Sequence, residues 1–215
     1  YSLQHRFILD WNSQHHFEVT EGEPYFPDSI VEGHVATQLV TSGPDEDKEQ
    51  IKLTYMKMIS GAEREIIIQT PYYIPSDALH ESIKLALLSG VQVKMLIPNK
   101  PDHPLVYWAT YFHAADLVKY RAKVYTYENG FVHSKTLIID GEYASVGSAN
   151  LDYRSLQLCF EANVVIYDYD ISQKLRNDFM KDLKLSRPLT LERYEERSKM
   201  IRFKEGLARL IAPML

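Results

Sequence analysis

Six positions between residues 133 and 150 are of types that can act on phosphorus: His133, Lys135, Asp140, Gly147, Ser148 and Asn150, spaced as H-x-K-x(4)-D-x(6)-G-S-x-N. An imidazole can attack phosphorus itself or protonate a leaving oxygen. An ammonium group and a carboxamide can hold the non-bridging oxygens while charge builds on them. Taken singly, each residue reads as ordinary: a His and a Lys on a strand usually face solvent, and Asp-Gly is a common turn. The ordered set is what points to phosphoryl chemistry.

The elements that would position this set can be read around it. Asp140-Gly141 divides two apolar runs, the pattern of a two-residue hairpin, with strands expected over 132–139 and 143–146. Such a turn sets Ile139 opposite Glu142, Lys135 across from Val146 and His133 across from Ser148. Strand side chains alternate between faces, so His133, Lys135, Ser148 and Asn150 then share one face while Asp140 does not. A slip of one residue would undo that count.

Elsewhere helix and strand signals alternate. Leu3, Phe7, Ile8 and Trp11 recur at helical spacing over 3–13, and 22–34 is Gly-, Pro- and Glu-rich and reads as a linker. Strands are expected over 35–41, 65–69, 91–97, 123–127 and 162–167. Helices are expected over 48–60, from Ser76 or Asp77 to Leu88, from Pro104 to Tyr120, over 171–183 and over 191–210. This alternation implies an α/β fold, a mixed sheet flanked by helices.

Composition narrows the class. The chain has 215 residues, 45% hydrophobic and 25% charged, which excludes a disordered or collagen-like protein. A single cysteine, Cys159, forms no internal disulfide, and its apolar flanks suggest a buried, inert thiol. The net charge of -5 argues against a protein that grips nucleic acid by a broad basic face. Charge is unevenly placed: residues 1–50 are strongly acidic, whereas 171–215 are basic, as a solvated helix face or a surface drawn to anionic head groups would be. No run approaches the length of a transmembrane span, and the opening Tyr-Ser-Leu-Gln reads as the start of a fragment.

The signature resembles that of the phospholipase D superfamily. Glu161 lies 28 residues after His133, where that family places an acidic residue that orients its histidine. Further stretches extend the likeness: Gln69-Thr70-Pro71-Tyr72-Tyr73-Ile74-Pro75, Asp102-His103-Pro104-Leu105-Val106-Tyr107-Trp108 and Leu151-Asp152-Tyr153-Arg154-Ser155. Together they are similar to the C-terminal half of a bacterial cardiolipin synthase over essentially the whole chain. On this resemblance residues 1–21 are the tail of a missing N-terminal half, 22–34 a linker and 35–215 the phospholipase D-like catalytic domain.

The resemblance implies a phosphatidyl transfer that uses no metal or other cofactor: two phosphatidylglycerols give cardiolipin and glycerol through a phosphohistidine. It needs two H-x-K motifs facing each other across a pseudo-twofold interface, and this chain holds one. It implies His133 as nucleophile or general acid/base, leaning to acid/base, Lys135 and Asn150 as phosphodiester ligands with Ser148 supporting them, Glu161 as orienter and Asp140 as the structural member of the catalytic motif. Implied partners are phosphatidylglycerol and related anionic phospholipids, the missing half and a membrane surface, with no nucleic acid. The implied location is the bacterial cell membrane, with the active site on its cytoplasmic side. Two rival readings stand beside it: a homodimeric single-motif phosphodiesterase or nuclease, and an inactive half-domain that only packs with its partner.

Other residues carry weaker signals. Adjacent His15 and His16 suit no common metal site, and His80-Glu81 lacks the second histidine of a zinc-protease helix. His103 could touch a head group or simply pack its loop. Tyr107, Trp108, Tyr111 and Phe112 cover one helix face, as core packing or as acyl-chain contacts would require.

Overall fold

The computed structural model describes residues 1–14, 19–20, 22, 24–26, 33–45, 47–100, 102–198, 200–201, 204, 206 and 208. They fall into two compact units, Tyr1–Val35 and Ala36–Leu215. The first carries helix α1 (Ser2–Gln14), with an Arg6–Asp10 ion pair one turn apart and Asn12 bonded both ways to the Val19 backbone. Much of the expected linker, and His15 and His16, lie outside the described residues.

The second unit runs β1 (Ala36–Ser42), α2 (Gln50–Ser60), β2 (Glu65–Gln69), β3 (Tyr73–Ile74), α3 (Asp77–Leu88), β4 (Gln92–Pro98), α4 (Pro104–Lys119) and β5 (Lys123–Tyr127). It continues with β6 (Thr136–Ile139), β7 (Tyr143–Gly147), β8 (Leu151–Asp152), α5 (Tyr153–Gln157), β9 (Glu161–Tyr167), α6 (Tyr169–Leu183), β10 (Ser186–Pro188) and α7 (Leu191–Glu195). Eight strands form one mixed sheet in the order β1-β9-β7-β6-β2-β4-β5-β10. Within this sheet, among the described residues, β2–β4 and β4–β5 are the parallel pairs, as expected where helices make the crossovers; β3 and β8 form a separate parallel pair.

Both faces of the sheet are covered, which is why β2 reads Glu-Ile-Ile-Ile-Gln rather than alternating. Ile66 and Ile68 point into a core shared with Ile51, Tyr55 and Ile59 of α2, Leu79 and Ile83 of α3, and Ala114 and Leu117 of α4. Ile67 points the other way, to Ile138, Ala144 and Phe179 of α6. Each such side chain contributes about 1.5–3 kcal/mol by leaving water. Helix α4 is apolar round much of its circumference because it also carries a smaller core, where Ala109 meets Ile74 and Ala208.

Pro104 starts α4 as its fixed φ favours, and Asp168 caps α6 by accepting from the Ile171 N–H at 2.8 Å. The expected helix over 191–210 is interrupted. Helix α7 ends at Glu195, the chain leaves helical form at Arg197 and Ser198, and the described residues from Met200 to Ala208 are helical again.

The hairpin register also needs correction. Asp140 and Gly141 both have positive φ, 55° and 68°, and the Glu142 N–H closes the turn on the Ile139 carbonyl at 2.9 Å. Yet the ladder pairs Ile139 with Tyr143 and Thr136 with Val146, one residue beyond the expected register. The cause lies in the neighbouring strand. The Asp140 N–H donates to the Glu65 carbonyl at 2.8 Å, and its carboxylate accepts from the N–H groups of Glu63, Arg64 and Glu65 at 2.9, 2.7 and 2.7 Å. Asp140 is thus drawn sideways onto β2, and Glu142 is left as the extra residue.

Candidate active site

The slip changes how the site is assembled. Lys135 lies across from Gly147, whose N–H donates to the Lys135 carbonyl at 3.3 Å. Strand β6 begins only at Thr136, so His133 and Lys135 stand on the segment entering the sheet, not in a strand as expected. Ser148 and Asn150 follow the end of β7. Alternation along two paired strands therefore does not place the four side chains; the departing loop does.

That loop is fixed by close backbone contact. A Cβ on Gly147 would come within 2.3 Å of the Asn163 Oδ1 and 2.4 Å of the Ala162 carbonyl, so only glycine fits. The Ser148 N–H donates to the Ala162 carbonyl at 3.0 Å, and the Ala149 N–H to the Asn163 Oδ1 at 3.2 Å. Asn163 is held in turn by its own amide, which donates to the Tyr55 hydroxyl at 2.6 Å and to Ser145 Oγ at 3.1 Å. Burial pushes the Tyr55 phenol up to about 12, so it stays protonated. Thr70 anchors the next step, its hydroxyl accepting from the Leu151 N–H at 3.3 Å. Asn163 and Thr70 escaped the sequence reading because their partners are far away along the chain. The parity of Asn163 with Glu161 on β9 was the available signal.

His133 is exposed, and the Lys135 ammonium stands 3.0 Å from its Nε2 while donating to its carbonyl at 3.0 Å. The two nitrogens are within hydrogen-bond distance, with the donor set by the imidazole tautomer. Half-burial lowers the Lys135 pKa, opposed by the nearby charges of Glu161 and Asp152. Those two carboxylates tie Lys135 to the rest of the patch.

Glu161 accepts a hydrogen bond from the Ser148 hydroxyl, and Ser148 Oγ accepts from the Ala162 N–H at 3.0 Å. Among the described residues the bond on the Glu161 carboxylate comes from Ser148 and none from His133. The Asn150 amide donates to Ser155 Oγ at 3.1 Å and also bonds the Asp152 carboxylate, while its Oδ1 is buried with no protein partner among the described residues. Asp152 caps α5 by accepting from the Ser155 N–H at 2.6 Å; burial nevertheless raises its pKa. Asp140 stands at the far end of β6, about 16 Å from Lys135 by strand rise.

Beside the patch lies a cavity of about 490 Å³ whose wall includes Asn150, Asp152 and Glu161, along with Tyr72, His103 and Cys159. The Tyr72 hydroxyl donates to Asp102, which also accepts from the His103 N–H at 2.7 Å. Of the aromatic residues on α4, Tyr111 is buried in the main core and Tyr107 donates to the Asn99 carbonyl at 2.9 Å. Trp108 packs on the smaller core, with the Lys204 ammonium 4.9 Å from its ring centre. For these three, packing within the domain accounts for the pattern. No helix among the described residues is long and apolar enough to cross a membrane.

The sheet order together with the His-Lys patch defines a phospholipase D-like α/β domain. Its fold matches Nuc of Salmonella typhimurium, a phospholipase D family member, with TM-score 0.62 over 73% of this chain and 99% of that one at 18% identity. It also matches the phosphatidylserine synthase of Haemophilus influenzae Rd KW20, with TM-score 0.65 over 84% of this chain and 48% of that one at 16% identity. At such identities the likeness is one of fold alone.

Sequence goes further. Residues 55–183 match the family described as cardiolipin synthase, PLD-like domain, and the chain belongs to that family. It is 53% identical to a cardiolipin synthase of Staphylococcus aureus (strain Mu50) over 100% of this chain and 44% of that protein. It is 51% identical to the major cardiolipin synthase ClsA of Bacillus subtilis (strain 168) over 100% of this chain and 45% of that one. The chain thus spans less than half the length of these relatives.

Proposed function

We propose that this chain supplies one half of the active site of a phosphatidyl transferase, which joins two phosphatidylglycerols into cardiolipin and releases glycerol at the bacterial cell membrane, with its site on the cytoplasmic side. The carrying observation is the exposed His133 ring with the Lys135 ammonium 3.0 Å from Nε2, in a chain that matches cardiolipin synthases along its whole length.

In this reading a histidine of the other half attacks phosphorus of the first lipid. The bond from phosphorus to the glycerol oxygen breaks, and His133, protonated on Nε2, gives its proton to that oxygen. The neutral ring then takes a proton from the glycerol hydroxyl of the second lipid as that oxygen attacks and the phosphorus–nitrogen bond breaks. Lys135 and the Asn150 amide turn from His133 and Ser155 to the non-bridging oxygens, where added negative charge is felt most strongly. The Ser148–Glu161 pair supports them, and the Glu161 charge, felt at Lys135, takes the role of steadying the imidazolium. Asp140 serves the fold by tying the hairpin tip to β2.

The test uses the full-length protein and this chain alone, each given vesicles with labelled phosphatidylglycerol. The full-length protein should yield cardiolipin and glycerol in equal amounts, and this chain alone should yield neither. Turnover by this chain alone, or a full-length protein that consumes phosphatidylglycerol without forming cardiolipin, would overturn the reading.

A further inference from the structure

A phosphatidyl-enzyme can be taken by water, by free glycerol or by a lipid hydroxyl, and nothing at His133 or Lys135 separates these, since each presents the same O–H. A lipid acceptor differs in bringing a second phosphodiester anion, so selection calls for a cation set apart from the reacting phosphorus. We propose that Arg154 is that cation and that the cavity beside the patch seats the phosphodiester of the acceptor lipid; this rests on the phosphatidyl-transfer reading.

Position supports it. The cavity wall includes Arg154 together with Asn150 and Glu161, so the space opens beside the reactive groups. Its volume of about 490 Å³ falls in the range of small-molecule sites. Ile74, Leu105 and Val106 give it an apolar side, suited to the parts of a lipid next to its head group. Asp152 and Glu161 on the same wall would repel an anion, and Arg154 offsets them. Its guanidinium forms no ion pair among the described residues, and its planar fork suits two phosphate oxygens.

The backbone beneath Arg154 is fixed on both sides. The Asp152 carboxylate holds the Ser155 N–H at 2.6 Å, and the Arg154 carbonyl accepts from the N–H groups of Leu158 and Cys159 at 2.8 and 3.1 Å. The guanidinium is therefore carried on a rigid turn, its charge acting on Asp152 without an ion pair among the described residues.

The experiment compares full-length wild-type protein with Arg154→Ala and Arg154→Lys on vesicles of labelled phosphatidylglycerol. It measures cardiolipin, phosphatidic acid and exchange of free labelled glycerol into the lipid. In Arg154→Ala, cardiolipin formation should fall about tenfold more than exchange or hydrolysis, with a raised KM for the acceptor lipid. Arg154→Lys should recover part of the loss. Equal falls in all three products, or no change in any, would overturn the proposal. An inactive wild-type protein would remove the transfer reading itself, and the proposal with it.

Discussion

Two histidines of this chain sit among lysines and carboxylates and are held in opposite ways. His80, on α3, is only 8% exposed, and both ring nitrogens are engaged: Nδ1 lies 2.8 Å from the hydroxyl of fully buried Tyr73, Nε2 3.1 Å from Asp116 on α4. Asp116 is shared further with Lys84 at 2.9 Å and Lys119 at 3.1 Å. His133 is exposed, and its polar neighbour among the described residues is a lysine two residues away. The first cluster uses its hydrogen-bonding capacity within the protein and locks α3, α4 and β3 together. The second leaves a ring, an ammonium and an amide able to exchange their partners for a ligand. The H-x-K-x(4)-D motif spans both kinds of site, since Asp140 is as fully engaged as His80.

The comparison can be broken by removing one member of the satisfied set. Asp116→Ala leaves His80 and Lys84 without their shared carboxylate and should lower the unfolding free energy by about 2–4 kcal/mol in urea titrations. Turnover per folded full-length molecule should change little; a variant as stable as wild type would contradict the packing role. Asp140→Ala, which strips three backbone N–H groups of their acceptor, should cost about 2–3 kcal/mol by the same measurement. Loss of turnover in Asp140→Ala with unchanged stability would return Asp140 to the chemistry.

Acidity sharpens the same contrast with a smaller effect. Burial lowers the His80 pKa below its ordinary 6.5, against the opposing pull of Asp116. The unfolded chain therefore binds more protons than the folded one as pH drops below 6.5, and stability falls with it. Asp116 is held well below its usual 3.8 despite burial, by Lys84, His80 and Lys119. Its contribution is present above 3.8 and is lost as pH falls below that value. Melting temperatures between pH 7.5 and 5 should decline in wild type and decline less in His80→Asn. An equal decline in both would remove His80 from the pH response.

Much of this was legible in the sequence. Lys123–Tyr127 read as a strand because its apolar residues alternate, and Pro104 marked the start of α4 because proline suits a first helical turn. The Asp140-Gly141 turn was plain, yet its register was not: the shift comes from bonds to residues 63–65, more than seventy positions away. Two-residue strands such as β3 and β8 carry too little pattern to be seen, although their pairing sets Tyr73 beside Leu151 and Ile74 beside Asp152. His80 looked idle because its carboxylate partner is on another helix. Periodicity reports which face is buried; it does not report which distant group meets it there.

The most direct test replaces His133 with alanine in the full-length protein, with turnover of phosphatidylglycerol and urea unfolding measured on the same preparation. The ring is exposed and supports no core contact, so stability should stay within about 0.5 kcal/mol of wild type, while cardiolipin formation should fall by at least about a thousandfold. Turnover within a few-fold of wild type in a folded His133→Ala protein would contradict the account.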